Sequence, residues 1–121
     1  MTRRGDRREA LFALYRWDLT GRPVELGDGA GEYARQVTGE VSERAGELDA
    51  KITNASQDWT ADRLGVVERN VLRIAIHEIE TGLAPPEVAI DEAVTLAKRY
   101  ATEDAGRLVN GILGRIAREA A

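Results

Sequence analysis

The chain of 121 residues contains no cysteine, and His77 is its single histidine. Without cysteine it has no disulfides, thiolate zinc sites or cysteine nucleophiles, which fits a reducing cytoplasm. No apolar run is long enough to cross a bilayer, and the arginine-rich N-terminus is not followed by the apolar segment of a secretory signal. These absences predict a cytoplasmic protein without a membrane anchor.

Candidates for catalysis or metal binding are also few. His77 stands beside Glu78, but neighbouring positions on a helix point in different directions and do not form a catalytic pair. The acidic pair Glu103-Asp104 fits the first turn of a helix, where the helix dipole favours acids. One histidine without a cluster of carboxylates is a poor metal site. The sequence therefore predicts no enzyme, no metal site and no cofactor.

The charge of the chain is unevenly distributed. The net charge is −4, yet residues 1–22 hold six arginines and only three acids. Of the 17 basic residues, all except Lys51 and Lys98 are arginine. Arginine binds phosphate through a planar fork and stacks on bases. The same preference is equally expected from a GC-rich genome, so the position of the cluster is more informative than the count.

Apolar residues recur at the three-and-four spacing of helices, and no segment alternates as a strand does. The pattern predicts an all-α fold, with helices over about 8–19, 30–48, a shorter one from 49, 66–79, 87–101 and one after Thr102. The helix at 66–79 is apolar nearly all the way round, which is typical of the centre of a bundle. Gly5 should interrupt any earlier helix, so residues 1–8 are predicted to form a flexible basic arm.

This arm is the strongest indication of function that the residues give by themselves. A local cluster of arginines suits a nucleic-acid backbone, and exposed tyrosines can stack on unpaired bases. The arginines are Arg3, Arg4, Arg7 and Arg8, and the tyrosines are Tyr15 and Tyr100. A solubilising terminus and tyrosines packed in the core would produce the same pattern. The residues alone therefore indicate a helical scaffold with a basic arm, with RNA as a possible ligand.

Three segments resemble the NusB family of transcription antitermination factors. They are RREALFALYRWDLTG (7–21), VERNVLRIAIHEI (67–79) and VAIDEAVTLAKRYATEDAGRLVNGIL (88–113). Their order and spacing agree with the family, whereas residues 22–56 match only as a helical pattern.

The resemblance implies a single NusB-like domain over 1–121, with two packed helical subdomains over about 9–56 and 60–121. It also implies binding of boxA, a single-stranded element of ribosomal RNA leaders, together with NusE, a small-subunit ribosomal protein. The assembly then helps RNA polymerase ignore terminators.

The resemblance also assigns roles to individual residues. The basic arm of the family falls on Arg3, Arg4 and Arg7, which would contact RNA. The aromatic after the LAK motif falls on Tyr100, a stacking or edge contact. The acid of the following loop is Asp104, close to the RNA path. Two further residues are assigned to the protein partner and not to RNA: Tyr15 and Glu68 belong to a region that lies towards NusE in the family.

Two departures and three alternatives accompany this assignment. Asp6 interrupts the arm where the family is often more basic, which should weaken RNA binding or make it depend on the partner. His77 stands where the family often has tyrosine. The alternatives are a helical protein-interaction module without RNA affinity, a homodimer that hides the RNA face, and the NusB-like domain of a ribosomal RNA cytosine methyltransferase. The last would need a methyl-donor fold and a catalytic cysteine, and this chain has neither.

Overall fold

The computed structural model describes residues 2–120, and within that range it contains six α-helices, one short 3₁₀ helix and no strand. The helices are α1 (Arg3–Thr20), α2 (Glu32–Glu43), α3 (Ala45–Ala55), α4 (Val66–Thr81), α5 (Pro86–Tyr100) and α6 (Glu103–Ala120), with the 3₁₀ helix at Ala61–Arg63. The predicted all-α fold is confirmed. None of the described helices is long and apolar enough to cross a membrane.

The first helix begins earlier than the sequence predicted. Thr2 is its N-cap, with a side-chain oxygen that accepts a hydrogen bond of 3.1 Å from the Gly5 N–H. Gly5, Asp6 and Arg7 are all buried. The prediction of a flexible arm over 1–8 is therefore wrong for residues 3–8, because capping and the burial of this turn outweigh the roughly 1 kcal/mol that a glycine costs in a helix. Met1 lies outside the described residues.

The second boundary that differs lies between α2 and α3. The sequence predicted one helix over 30–48, but the chain turns at Arg44, where φ is −101° and ψ is 10°. Val41 and Leu48 on either side of the turn are both fully buried. The helical spacing of apolar residues continues through the turn, so periodicity alone gave no sign of it.

The central helix is α4, which packs against α1, α2, α3, α5 and α6. Residues 71–78 are all buried, which confirms the predicted position in the middle of the bundle. Four of its buried side chains are nevertheless polar or charged: Asn70, Arg73, His77 and Glu78. Buried polar groups need partners, and each of these has them on the helices of the N-terminal half. The predicted division into two subdomains stays a prediction.

Two polar clusters join α4 to its neighbours. Asp18 of α1 accepts hydrogen bonds from Arg69 at 2.8 Å and from Arg73 at 3.0 Å. Arg73 also donates two hydrogen bonds of 2.7 Å to the carboxylate of Asp49 in α3. Burial alone would raise the pKa of Asp18, but the hydrogen bond from Arg69 and the charge of Arg73 outweigh it and lower the pKa. These contacts fix the rotation of α4 relative to α1 and α3.

His77 makes the second cluster. Its Nδ1 lies 2.7 Å from Arg44 Nη1, which can only donate, so Nε2 carries the proton and donates to Glu40 Oε1 at 2.6 Å. The hydrogen bond with His77 is the main reason that the pKa of Glu40 is lowered. His77 therefore joins α4 to the end of α2.

Candidate nucleic-acid interface

Side chains of α1 and α5 meet at two places, and the order of these contacts along the chain shows that the two helices run in the same direction. Arg4 of α1 pairs with Glu92 of α5 at 3.1 Å. Eight residues further along both helices, the rings of Phe12 and Tyr100 meet edge to face, with centroids 5.1 Å apart and planes at 84°. Eight helical residues span about 12 Å. We call the surface that these side chains form with Arg3, Arg8, Tyr15, Arg99 and the first turn of α6 the α1–α5 face.

One end of this face is basic. Arg3 donates to the Leu83 carbonyl at 2.6 Å, and its guanidinium lies 4.4 Å from the centre of the Tyr33 ring. The Arg4 side chain is 74% exposed, although Nε and Nη2 donate to Glu92. Both arginines are thus held in position while remaining accessible to an anion.

Arg8 extends the basic end by one helical turn, because it follows Arg4 by four residues and is exposed. Arg8 belongs to the basic cluster seen in the sequence, but the family resemblance gives it no role in RNA binding. The signal was its spacing from Arg4, which becomes meaningful only once the helix is known to begin at Arg3.

Arg7 does not belong to this face. Its Nε lies 2.8 Å from Glu78 Oε2, and both side chains are buried. The Tyr33 hydroxyl donates to the same carboxylate oxygen. Burial and the bond to Glu78 raise the pKa of Tyr33 well above its usual range. The assignment of Arg7 to RNA contact is corrected: an arginine in a buried ion pair cannot reach a phosphate.

Asp6 is buried and does not lie in the exposed arm that its place in the sequence predicted. Its carboxylate lies against Gly31, the N-cap residue of α2. An acid at a helix N-terminus is stabilised by the helix dipole. Because Asp6 points into the protein, it does not stand among the exposed arginines of the α1–α5 face.

The other end of the face is aromatic. A cleft of about 230 Å³ lies between the helices and is lined by Leu11, Phe12, Tyr15, Val67 and Tyr100. Phe12 and Tyr15 are more than one-third exposed. The structure thus brings together Tyr15, predicted to face a protein partner, and Tyr100, predicted to contact RNA.

A further cation flanks this aromatic end. The Arg99 guanidinium lies 5.5 Å from the centre of the Tyr100 ring. Arg99 is exposed, so the ring is flanked by a positive charge that reaches solvent.

Asp104 and Glu68 lie at the margins of this region. Asp104, in the first turn of α6, is 85% exposed and pairs with Arg107 one turn later. Glu68 is half-buried in the first turn of α4 and folds back so closely that a Cβ on Gly65 would lie 2.6 Å from its Oε1. Glu68 is not part of the cleft lining, although its neighbour Val67 is.

The chemistry of the α1–α5 face is that of binding. It offers guanidinium groups for phosphates and aromatic edges for bases or apolar side chains. Among residues 2–120, no three side chains of the types that ligate metals come together.

Comparisons with known proteins show the family and the fold. The NusB family model matches residues 4–118. The transcription antitermination protein NusB of Rubrobacter xylanophilus is 39% identical over 122 aligned residues, covering 93% of this chain and 88% of that protein. The solved structure of NusB from T. maritima superimposes with a TM-score of 0.89 at 36% identity, covering 98% of this chain and 92% of that one. A crystal structure of antitermination factors NusB and NusE in complex with double-stranded RNA gives a TM-score of 0.84 at 34% identity, with 97% and 96% of the two chains covered.

Proposed function

The chain belongs to the NusB family of transcription antitermination proteins, and we propose that it binds single-stranded boxA RNA of ribosomal RNA leaders together with NusE. The bound assembly then helps RNA polymerase read through terminators. The observation that carries this proposal is the α1–α5 face. Its exposed arginines and exposed aromatic rings lie on two helices that run in the same direction, and about 12 Å of helix separates the basic end from the aromatic end.

RNA binds at the basic end through its phosphates. Arg3, Arg4 and Arg8 are exposed and project from the first two turns of α1. Each phosphate that they neutralise releases counterions, so binding weakens as salt rises. Arg4 has two ways to bind a phosphate. It exchanges its hydrogen bonds with Glu92 for the phosphate, or it keeps them and binds through Nη1, which has no hydrogen bond within residues 2–120. Unpaired bases then stack on Tyr100, and Asp104 lies beyond it at the edge of the RNA path.

NusE covers the part of the aromatic end formed by Phe12 and Tyr15 and leaves Tyr100 to the RNA. The cleft between α1, α4 and α5 is mostly apolar, and Tyr15 on its rim offers both a ring and a hydroxyl. Aromatic residues of this kind are enriched at protein interfaces. Glu68, at the start of α4, is the acidic group nearest in sequence to the cleft and would face the basic surface of a ribosomal protein. The related complex of NusB and NusE with double-stranded RNA supports NusE and RNA as partners.

The function we propose is assembly without a chemical step, in the cytoplasm where transcription takes place.

A homodimer is the competing state that a specific observation favours. Phe12, Tyr15 and Leu19 are large, exposed apolar side chains on one stripe of α1, and a second copy could cover them. In that state the α1–α5 face would be closed to RNA.

The decisive experiment is a titration of labelled boxA RNA at two salt concentrations, with and without NusE. The wild type is compared with Arg4→Ala/Arg8→Ala and with Arg22→Ala/Arg35→Ala, a control pair of exposed arginines outside the face. Loss of two phosphate contacts should lower the salt slope by about 1.4, while the control pair leaves the slope unchanged. Equal binding by all three proteins would refute the site. No RNA binding at all, with a dimer in sedimentation, would favour the homodimer.

A further inference from the structure

A second basic groove lies outside the α1–α5 face. It runs between α6 and the segment that connects α3 to the 3₁₀ helix, with a volume of about 330 Å³. Three arginines of α6 line it, Arg107, Arg115 and Arg118, opposite Trp59. We call it the α6 groove. Its lining holds these three arginines against one acid, Asp58. Arg107 and Arg115 also pair with Asp104 and Glu119, exposed acids outside the lining, whereas Arg118 has no ion pair within residues 2–120.

The groove begins at Arg107, one helical turn after Asp104, which we place at the edge of the RNA path. At 100° per residue, Arg107, Gly111, Arg115 and Arg118 fall on the same side of α6 as Asp104. Asp104 pairs directly with Arg107, and from Asp104 to Arg118 the helix rises about 21 Å. An RNA strand that passes Asp104 therefore meets a row of arginines if it continues along α6.

Trp59 is the second feature that points to a ligand. Trp59 is 48% exposed, whereas the other tryptophan, Trp17, is half-buried with the Arg73 guanidinium 5.5 Å from the centre of its ring. The Trp59 backbone N–H donates to the Ser56 hydroxyl at 3.3 Å, which holds the connection in place. An exposed indole in the same groove as arginines is a combination with which proteins stack a base and hold its phosphate.

We propose that the α6 groove binds a single-stranded RNA segment that continues beyond the part held at the α1–α5 face. The inference rests on the proposed RNA-binding function and extends it with a stacking platform, Trp59, and phosphate contacts from Arg115 and Arg118. Arginine forks and an indole suit bases and phosphates together. An acidic peptide would use the arginines but has no need of the exposed ring, so RNA is the better match.

The test uses the fluorescence of Trp59 in a Trp17→Phe background. Three RNAs are compared: boxA alone, boxA extended by about six nucleotides at its 5′ end, and boxA extended by about six nucleotides at its 3′ end. One of the two extended RNAs should bind roughly tenfold more tightly than boxA alone and should quench Trp59, whereas boxA alone leaves the emission unchanged. Both effects should fall as salt rises.

Two variants locate the effect. Trp59→Leu and Arg115→Ala/Arg118→Ala should each abolish the gain from the extension and leave the affinity for boxA alone unchanged. Trp59 and Arg118 are exposed and Arg115 is half-buried at the surface, so the fold should tolerate these changes, which circular dichroism verifies. Arg22→Ala/Arg35→Ala is the control for loss of two positive charges, and it should keep the full gain.

The outcomes separate the two proposals. If boxA binds but the extension adds neither affinity nor quenching, the α6 groove is not an RNA site and the proposed function stands. If neither RNA binds the wild type with NusE present, the proposed function fails, and this inference fails with it. If a polyglutamate peptide quenches Trp59 and the extended RNA does not, the groove takes an acidic protein segment and the RNA assignment is overturned.

Discussion

Arg7 and Glu78 form an ion pair of 2.8 Å in which the two side chains are only 5% and 1% exposed. The pair joins α1 to α4, and the hydroxyl of Tyr33 brings α2 to the same carboxylate. The basic N-terminal segment therefore has two roles. Arg7 stabilises the bundle, while Arg3, Arg4 and Arg8 remain at the surface.

Arg7→Ala should lower the free energy of unfolding by about 3–5 kcal/mol, because it leaves the Glu78 carboxylate buried and unpaired. Urea denaturation monitored by circular dichroism measures the change. Arg8→Ala is the matched control, since Arg8 is exposed on the next position of the same helix and should cost less than about 0.5 kcal/mol. Equal stability of the two variants would show that the buried pair contributes nothing.

Gly31→Ala should destabilise the protein by about 1–3 kcal/mol, the usual range for forcing an extra methyl group into a packed site. A Cβ on Gly31 would lie 2.8 Å from Cγ of the buried Asp6. Gly29→Ala serves as the control, because a Cβ there meets nothing within 4 Å. Thermal unfolding compares the two, and removing the carboxylate in Asp6→Ala/Gly31→Ala should make the two changes non-additive. Additive losses would contradict the clash.

Asp18→Asn should destabilise the protein at neutral pH and cease to matter in acid. The pKa of Asp18 is lowered from its ordinary value of 3.8, so the ionised carboxylate contributes stability above that pH, and the contribution disappears as pH falls through the folded-state pKa. The difference in unfolding free energy between wild type and variant should be constant from pH 5 to 7 and shrink below about pH 3.8. A difference independent of pH down to 2 would refute the role of the charge.

Tyr100→Ala should weaken boxA binding by roughly fivefold to more than a hundredfold, the range for losing one base–aromatic stack. Tyr100→Phe keeps the ring and its edge-to-face contact with Phe12, and it should retain most of the affinity. Fluorescence anisotropy at constant salt measures both. If the phenylalanine variant loses as much as the alanine variant, the hydroxyl and not the ring makes the contact.

The helices themselves were largely predictable from the sequence. Periodicity, caps and glycine stops act over a few residues, so both ends of α4 and α5 and the start of α6 were predicted within about two residues of their observed positions. The left-handed glycines Gly21 and Gly82 end α1 and α4 close to the predicted positions. The break at Arg44 was missed because apolar spacing continues across it.

The site was predictable only in part. The arginine cluster and the two tyrosines were visible as residue types, and Tyr15 and Tyr100 do meet at one cleft. Which arginines are free was not visible, since burial depends on the helix that packs against each one. Arg7 and Arg8 are adjacent in sequence, yet one faces Glu78 and the other faces solvent.

The sequence by itself determined the all-α fold and the family, because helix formation follows from spacing over three or four residues and the motifs are strings of neighbours. Only the tertiary structure decided that Arg7 and Asp6 are structural, that the α1–α5 face joins residues eighty-eight positions apart, and that Trp59 lies opposite the arginines of α6. Those relationships depend on how helices rotate and pack against α4, and such long-range contacts leave no local pattern in the chain.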